Sequence, residues 1–343
     1  MTRVVTLGEV MLRLKSPGFE RLFQSATLEA TFGGAEANVA ASLAQFGVDV
    51  RFVSAIPDNP IGDACLAAIR AFGVDTSMVK RQGRRLGVYY LETGSNQRPS
   101  RVTYDRAGSA IAQAKAADFD WSAIFDGADW FHVSGVTPAI SASAAELSLA
   151  AARAARERGI TVSVDYNYRK NLWQYGKQAP EVMRELVALA TVGIANEEDC
   201  QKALGIELKR DPKRGPHGAE AFGELAERVL EQFPNLERQA ITLRESHSAD
   251  HNGWSAVMHN RRELLSSHHY EIRNIVDRVG AGDSFAAGLI YGLREYRHSD
   301  AMALYFAGAA SCLKHSIPGD IHRVSVAEVL QLVSGDQSGR VQR

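Results

Sequence analysis

A glycine turn between an apolar strand and a helix, within residues 277–293, constrains this chain more than any other segment. Val279 ends a short run that can be a strand, Gly280, Ala281 and Gly282 form a turn, and the segment that begins at Asp283 carries apolar or small side chains at helical spacing. Glycines let main-chain N–H groups approach a ligand closely, and a helix N-terminus adds partial positive charge. The turn therefore predicts an anion site, with phosphate the usual anion. Asp283 could cap the helix or act chemically, and the spacing leaves both interpretations open.

The rest of the chain mostly alternates between short apolar strands and helical patterns. Residues 4–8 read as a strand that is buried on both faces of a parallel sheet. The same analysis predicts strands at 50–55, 130–134, 161–165, 192–195, 240–243 and 255–258, and helices at 35–46, 61–72, 141–158, 301–315 and 325–333. Such alternation is typical of a doubly wound α/β sheet flanked by helices.

Two segments, residues 87–92 and 101–106, break this alternation. Both read as strands, and no helical pattern separates them, so we expect them to pair antiparallel. They would form either a flap at the sheet edge or a small subdomain. An ordinary solvated hairpin remains the alternative.

Polar residues follow two of the predicted turns and strands. Asn38 lies in the first turns of the helix after Gly34, where it could be solvated or could face a ligand. Asp165, Asn167 and Arg169 follow the strand at 161–165. Because ligands of parallel sheets bind at the C-terminal ends of strands, this position favours a functional role over a solvated loop.

Charge and cysteine content exclude several classes of function. Lys and Arg number 39 and Asp and Glu 40, for a net charge of −1, so nucleic acid is not expected as a partner. The cysteines Cys65, Cys200 and Cys312 are far apart and form no CxxC pair, which argues against a zinc site or a disulfide framework. No apolar run reaches the roughly 18 residues of a membrane helix. We expect a cytoplasmic protein that does not bind membranes.

Two motifs together, FGGAEAN at 32–38 and DRVGAGD at 277–283, resemble those of the PfkB, or ribokinase-like, family of sugar kinases. The resemblance implies a single ribokinase-like α/β domain over residues 1–335, with a mostly parallel, doubly wound sheet flanked by helices. It also implies a small β-sheet lid inserted around 10–32 and 84–108, and residues 336–343 would be a frayed tail. The implied reaction transfers the γ-phosphate of ATP to a sugar hydroxyl.

The same resemblance implies roles for the residues of the late motif. The amides of Gly280, Ala281 and Gly282 would meet the phosphoryl charge, and Asp283 would be the general base. Mg²⁺ would be held mostly through water, with Asp199 as an indirect ligand, although the family usually has Glu there. The implied ATP-binding residues are Asn196, Thr242, Arg244, Ser246, Gly280 and Gly282. The loop that we predict at 244–253 lacks the glycines that are usual in the family.

Within the family, the substrate residues are most similar to those of 2-keto-3-deoxygluconate kinases, which phosphorylate the C6 hydroxyl. The implied substrate-binding residues are Gly34, Asn38, Tyr89, Tyr104, Arg106, Asn167, Arg169, Asp283 and Asp320. Guanidinium groups bind carboxylates bidentately, which favours a sugar acid over a neutral sugar. Arg106 would meet the acid end, and Arg169 either the substrate or the transferring phosphate.

Several alternatives stay open beside this prediction. The chain could be another kinase of the family, such as a fructokinase, a ribokinase or a 5-dehydro-2-deoxygluconokinase. It could also be a sugar-acid-binding regulator without turnover, which the altered nucleotide loop favours. An oxidoreductase with a nucleotide cofactor is disfavoured because no GxGxxG motif follows the first strand. By resemblance we also expect a homo-oligomer that forms through the lid.

Overall fold

The structure is a computed structural model that describes residues 2–196, 198–207 and 218–336. Apart from Asp336, the predicted frayed tail at 336–343 lies outside these residues. The strands are β1 (Arg3–Leu7), β2 (Met11–Lys15), β3 (Glu29–Gly33), β4 (Val50–Val53), β5 (Ala55–Ile56), β6 (Lys80–Arg81), β7 (Gly87–Glu92), β8 (Arg101–Asp105), β9 (Ala128–Ser134), β10 (Thr161–Asp165), β11 (Val192–Asn196), β12 (Arg238–Ser246), β13 (His251–His259), β14 (Leu264–Ser266) and β15 (Tyr270–Arg273).

The helices include several that the sequence analysis did not predict, and α7 and α9 are the longest of these. Within the described residues the helices are α1 (Ala35–Gln45), α2 (Pro60–Arg70), α3 (Ala110–Gln113), α4 (Trp121–Ile124), α5 (Val136–Ala139), α6 (Ala142–Glu157), α7 (Ala179–Val187), α8 (Asp199–Leu204), α9 (Gly218–Gln232), α10 (Ala281–Glu295), α11 (Asp300–Lys314) and α12 (Val326–Val333). Among the described residues, none of the helices is both long enough and apolar enough to cross a bilayer.

The large sheet is mostly parallel, as predicted. Its order is β14-β13-β12-β11-β10-β9-β1-β4, with β15 also paired to β13. The pairs from β4 through β12 are parallel, and β13 turns back antiparallel to β12. The chain runs from β1 to β4 on one side and later from β9 to β12 on the other. This reversal opens a crevice at the carboxyl ends of the central strands, where ligands of such sheets bind.

Two apolar layers hold helices against the faces of this sheet. Alternate strand residues point to opposite faces, so Val4 packs with one layer and Val5 with the other. The layer around Val5 includes side chains of α6, α7, α8 and α9. The layer around Val4 includes side chains of α1, α2, α10, α11 and α12. The crevice therefore lies at the edge of a three-layer core that fixes the helix starts around it.

A separate small sheet, in the order β3-β2-β7-β8, covers one end of that crevice. The hairpin prediction is confirmed, because β7 and β8 pair antiparallel from Val88–Asp105 to Glu92–Arg101. β2 and β3 complete this sheet, with β2 parallel to β7 and antiparallel to β3. That the sheet acts as a lid, and that residues 1–335 form one domain, stay predictions.

The predicted nucleotide loop at 244–253 is wrong. β12 continues to Ser246 and β13 begins at His251, which leaves a four-residue turn. Arg244 pairs with Trp254, and Ser246 with Asn252. The polar residues there resemble a loop in sequence, yet a hairpin tip exposed to water tolerates them because its main-chain groups are satisfied by cross-strand pairing.

Candidate active site

The crevice holds a cavity of about 530 Å³. It brings together residues from the small sheet, the ends of β10 to β12 and the start of α10. Nearly all of the predicted site residues line it, namely Gly34, Asn38, Tyr89, Tyr104, Arg106, Asn167, Arg169, Asn196, Asp199, Thr242, Arg244, Gly280, Ala281, Gly282, Asp283 and Asp320. Ser246 does not, because it lies beyond the cavity at the exposed tip of the β12–β13 hairpin.

Asp283 faces the cavity and is held there by another helix. α10 begins at Ala281 with Gly280 as its N-cap, so Asp283 is not the capping residue. Its Oδ2 accepts a hydrogen bond of 2.6 Å from Nδ2 of Asn38, on α1. Burial raises the pKa of Asp283 to about 6, and the hydrogen bond from Asn38 opposes that rise. Asn38 is itself buried, so its solvated interpretation is wrong.

The glycine turn requires glycine for two different reasons. Gly280 has φ of +83°, and a Cβ there would lie inside van der Waals contact with the carbonyl oxygen of Asp320. Gly282 is exposed, and a Cβ there would meet open space. Gly280 is thus needed for the fold, whereas the bare main chain at Gly282 faces the cavity and is available to a ligand.

Three buried carboxylates lie behind Asp283. Asp165 ends β10, and burial, followed by the charges of Asp199 and Asp283, holds its pKa well above the usual range. Burial also raises the pKa of Asp199. Glu36 accepts hydrogen bonds of 2.8 Å from the amide of Ser134 and from Oγ1 of Thr137, and burial raises its pKa to about 7. Burial therefore favours the protonated form of each of these carboxyl groups, and nearby cations act against that shift.

Asn196 and Asp199 engage their side-chain oxygens in hydrogen bonds from main-chain amides. Oδ1 of Asn196 accepts from the amides of Glu198 and Asp199. Asp199 accepts 2.9 Å and 3.0 Å hydrogen bonds from the amides of Tyr168 and Asn196. Both oxygens of Asp199 are therefore engaged, which fits an indirect role toward a cation. Glu198 is exposed and lines the cavity, so it offers a freer carboxylate than Asp199 does.

A buried ion network joins the small sheet to the segments around the glycine turn. Arg13, on β2, donates to both Asp277 and Asp320, and its side chain is 2% exposed. Tyr89, on β7, donates its hydroxyl to Asp320. Two residues predicted to bind substrate, Tyr89 and Asp320, thus also bind one another. The sequence analysis missed Arg13, because alternation in β2 does not reveal which residues it meets more than 260 positions later.

Arg106 and Glu9 form a second buried pair beside the cavity. Arg106 donates to Glu9, and Oγ of Ser109 donates to the other oxygen of Glu9 at 2.5 Å. The guanidinium of Arg106 also lies 5.3 Å from the ring centre of Tyr104. Nε of Arg106 is buried and has no hydrogen-bond partner among the residues the structure describes. Arg106 therefore keeps donor capacity beyond its bond to Glu9.

Further cations line the same cavity as Arg106. Arg169 is exposed, and its charge lowers the pKa of Asp165, Asp199 and Asp283. Arg244 on β12 is also exposed. Arg278, which the sequence analysis missed, lines the cavity and donates 2.6 Å to the carbonyl of Ala249 in the hairpin turn. Its position directly before the glycine turn was the available signal.

One cluster of possible metal ligands lies at the hairpin, outside the cavity lining. His247, His251 and Glu271 present ligand atoms within 4.8 Å of one another. His251 is already hydrogen bonded to Glu271 at 2.7 Å, and all three side chains are partly or fully exposed. Such a contact satisfies a histidine and a carboxylate without a metal.

Comparison with known proteins shows one family over almost the whole chain. A family model described as pfkB family carbohydrate kinase matches residues 1–325. A 2-dehydro-3-deoxygalactonokinase of Haloferax volcanii is 30% identical over 336 residues, which cover 98% of each chain. A 2-dehydro-3-deoxygluconokinase of Bacillus subtilis is 26% identical, over 95% of this chain and 93% of the relative.

A solved structure extends this similarity to the fold. The crystal structure of a 2-dehydro-3-deoxygluconokinase from Thermotoga maritima superimposes with a TM-score of 0.91 at 48% identity. The match covers 98% of this chain and all of that one. The large parallel sheet and the separate small sheet described above are therefore those of a known architecture.

Proposed function

Because this chain belongs to the pfkB family of carbohydrate kinases, we propose that it transfers the γ-phosphate of ATP to the C6 hydroxyl of 2-keto-3-deoxygluconate. This substrate is the 2-dehydro-3-deoxygluconate in the names of the relatives. The carbohydrate kinase class follows from the family, while the sugar acid and the hydroxyl belong to the proposal. The observation that carries the proposal is a carboxylate, Asp283, that faces the cavity beside a turn of main-chain amides.

In the proposed reaction, Asp283 takes the proton from the attacking hydroxyl. The C6 oxygen forms a bond to the γ-phosphorus, the bond from that phosphorus to the β,γ-bridging oxygen breaks, and ADP leaves. A base is most effective when its pKa lies near the working pH, and a pKa of about 6 leaves Asp283 mostly ionised at neutral pH. The hydrogen bond from Asn38 holds the carboxylate in place for this transfer.

The glycine turn supports the charge that moves during phosphoryl transfer. That reaction depends mainly on positioning and on neutralising charge on the phosphoryl oxygens. The N-terminal amides of α10, at Gly280 to Gly282, meet this need because a helix N-terminus favours anions. Arg169 and Arg244, which line the same cavity, add positive side chains.

The nucleotide side of the site is proposed from the ends of β11 and β12. ATP is the phosphate donor that the family supports, and Asn196, Thr242 and Arg244 line the cavity there. When bound, Mg²⁺ would neutralise phosphate charge. Glu198 and Asp199 would hold it, largely through water, because both oxygens of Asp199 already accept amide hydrogen bonds.

The sugar-acid assignment rests on the arginines around the cavity. Arg106 retains a free Nε beside its bond to Glu9, and Arg169 presents an exposed guanidinium. A carboxylate is the group that such a planar cation binds best. A neutral sugar would leave the remaining donor capacity of both arginines unused, so the proposal favours an acid over ribose or fructose.

A second candidate substrate is 2-keto-3-deoxygalactonate. The Haloferax volcanii relative carries that sugar acid in its name and matches the full length of this chain. Both acids share a carboxylate, so the arginines do not separate them. A 5-dehydro-2-deoxygluconokinase, a fructokinase, a ribokinase and a regulator without turnover rank below these two.

The test follows ADP release from the purified chain with each sugar, and the phosphorylated position is read by NMR. We expect the highest kcat/KM with one of the two 2-keto-3-deoxy acids and phosphate on C6. Preference for ribose or fructose would contradict the sugar-acid assignment, and no ADP release with any sugar would favour the regulator.

An Arg106→Lys variant keeps a cation for Glu9 but loses the planar guanidinium group. It should raise KM for the acid about tenfold while KM for ATP stays within twofold.

A further inference from the structure

A lysine that the proposed reaction does not use is wholly buried beneath the glycine turn. Lys314 is the last residue of α11, and its side chain is 0% exposed. Its Nζ donates hydrogen bonds of 3.2 Å to the carbonyl oxygens of Asp277 and Ile317. Burying an ammonium costs several kcal/mol unless partners offset it, and an apolar residue would usually be as stable there. The buried ammonium of Lys314 is therefore better explained by a functional role than by a contribution to stability.

The end of α11 holds the turn by several contacts, and Lys314 supplies the charged one. Oγ of Ser311 donates 2.8 Å to the carbonyl of Ala281, inside the turn. The amide of Val276 donates 2.9 Å to the carbonyl of His315. Lys314 joins the segment before the turn, through Asp277, to the segment that follows α11, through Ile317. Arg13 joins the same two segments through the side chains of Asp277 and Asp320, and Lys314 adds a second charged link that uses main-chain oxygens.

Four charged side chains act on the ammonium of Lys314. Asp277, Asp320 and Asp283 attract its ammonium, and Arg13 repels it. Arg13 already pairs with both Asp277 and Asp320. Lys314 and Arg13 are thus two cations beside three carboxylates, and this cluster lies beneath the amides to which we assign binding of the phosphoryl group.

We propose that Lys314 is a positioning residue whose buried ammonium supplies, from inside the fold, a fixed monovalent cation beneath this anion-binding turn. An ammonium held by main-chain carbonyl oxygens sits in the kind of environment that binds K⁺ or NH₄⁺, because carbonyl oxygens can replace the hydration shell of such ions. A lysine in that place carries the positive charge on the chain itself, so the charge cannot dissociate as a bound ion would. Turnover therefore needs no added monovalent cation, and truncation of Lys314 leaves a space that a small cation can enter.

The first test uses the wild-type chain and needs no variant. ATP affinity and kcat/KM are measured in tetramethylammonium buffer, then with KCl, NaCl or NH₄Cl added at constant ionic strength. We expect changes smaller than twofold. A tenfold requirement for K⁺ or NH₄⁺ would overturn the proposal. The inference rests on the proposed kinase function, but ATP affinity, read by calorimetry, does not depend on the sugar. A measurement of ATP affinity therefore distinguishes failure of the role proposed for Lys314 from failure of the substrate assignment.

The second test removes the ammonium. Lys314→Ala, checked for folding by circular dichroism, should lose at least 100-fold in kcat/KM and weaken ATP binding. Millimolar NH₄⁺ or K⁺ should recover at least tenfold of that loss, whereas choline should recover none. Ser311→Ala removes a neutral contact between the same helix and the same turn, so added cations should restore none of its loss.

Two results of the second test would overturn the cation role. One is a folded Lys314→Ala chain that no small cation rescues. The other is a Lys314→Met chain, of similar shape and without charge, that stays within threefold of the wild-type kcat/KM.

Discussion

At the scale of single residues, the account depends on how the environment of Asp283 sets its protonation. Burial raises the pKa to about 6, while Asn38, Arg169 and Lys314 lower it and Asp320 raises it. The carboxylate accepts a proton only when ionised, so activity should be present above this pKa and be lost as the pH falls through it. A plot of kcat against pH should therefore show an acidic limb near pH 6.

Asn38, which donates a hydrogen bond to Asp283, provides a variant that tests this pH dependence. Asn38→Ala removes the hydrogen bond that favours the charged carboxylate, so the acidic limb should move to higher pH and kcat at pH 6.5 should fall about tenfold or more. A limb that stays in place would show that a different group controls the profile.

The raised pKa of Asp283 also carries a stability consequence. Its ordinary value is 3.8 and its folded value about 6, so the folded chain binds the proton more tightly than the unfolded chain does. The cost of the charge is fully present above pH 6 and disappears as the pH falls toward 4. Asp283→Asn, which removes this charge, should therefore stabilise the chain at pH 7.5 by about 1–3 kcal/mol.

Thermal unfolding at pH 7.5 and at pH 4.5 measures this effect. We expect the midpoint of Asp283→Asn to exceed that of the wild type by a few degrees at pH 7.5, and the gap to narrow at pH 4.5. A residue that only capped the helix would leave the midpoint nearly unchanged at both pH values, because Asn caps a helix about as well as Asp does.

At the scale of elements, the turn before α10 could be predicted from sequence, and the hairpin after α9 could not. Two glycines before helical spacing indicate a turn that leads into a helix whatever surrounds it. The strand predicted to end at Val279 is wrong, because β15 ends at Arg273 and an irregular segment leads into the turn. The segment 244–253 is rich in residues that favour turns, and only its cross-strand register, such as Arg244 with Trp254, makes it a strand pair. Local composition does not contain that register.

The two glycines of the turn make a matched pair of variants. Gly280→Ala should unfold the chain or lower its midpoint strongly, because φ is +83° and the new Cβ would enter the carbonyl of Asp320. Gly282→Ala meets no neighbouring atom within 4 Å and lies in helical backbone, so stability should stay the same or rise by up to about 1 kcal/mol.

Ligand binding or turnover should nevertheless be sensitive to the added Cβ at residue 282. If phosphate approaches the bare main chain there, Gly282→Ala should weaken ATP binding or lower kcat by about tenfold or more while the fold remains intact. Calorimetry with ATP and thermal unfolding of both variants decide the matter. Wild-type ATP affinity and turnover in Gly282→Ala would show that phosphate does not use this amide.

At the scale of the whole molecule, the α/β architecture was predictable and most of the buried pairing was not. Apolar strands alternating with helices indicate a parallel sheet, and strand ends then indicate where a cavity lies. The pairs Arg13–Asp277, Arg13–Asp320 and Glu9–Arg106 join positions far apart in sequence. Each of these residues reads locally as an ordinary charge on a strand or turn. The resemblance of two motifs to one family supplied the substrate residues that pattern alone left open.

The small sheet gives the whole-molecule prediction. Its outer strand β8 is exposed along its whole length, and one edge of that strand has no partner strand within the described residues. Exposed edges of this kind favour pairing with another chain. We therefore expect a homodimer by light scattering at micromolar concentration. Thr103→Lys, on the exposed strand, should weaken the dimer about tenfold, whereas Lys170→Ala, on an exposed turn outside the small sheet, should not. A wild-type monomer at 100 micromolar would contradict this prediction.

The central claim is that Asp283 removes a proton from the attacking hydroxyl, and one rapid-quench experiment tests it most directly. Asp283→Asn and wild-type chains are mixed with saturating ATP and sugar acid, and the single-turnover rate of phosphoryl transfer is compared. Loss of a positioned general base should lower that rate by about 10²–10⁴-fold while the Kd for ATP changes less than threefold. A single-turnover rate within threefold of wild type would contradict the assignment of Asp283 as the base.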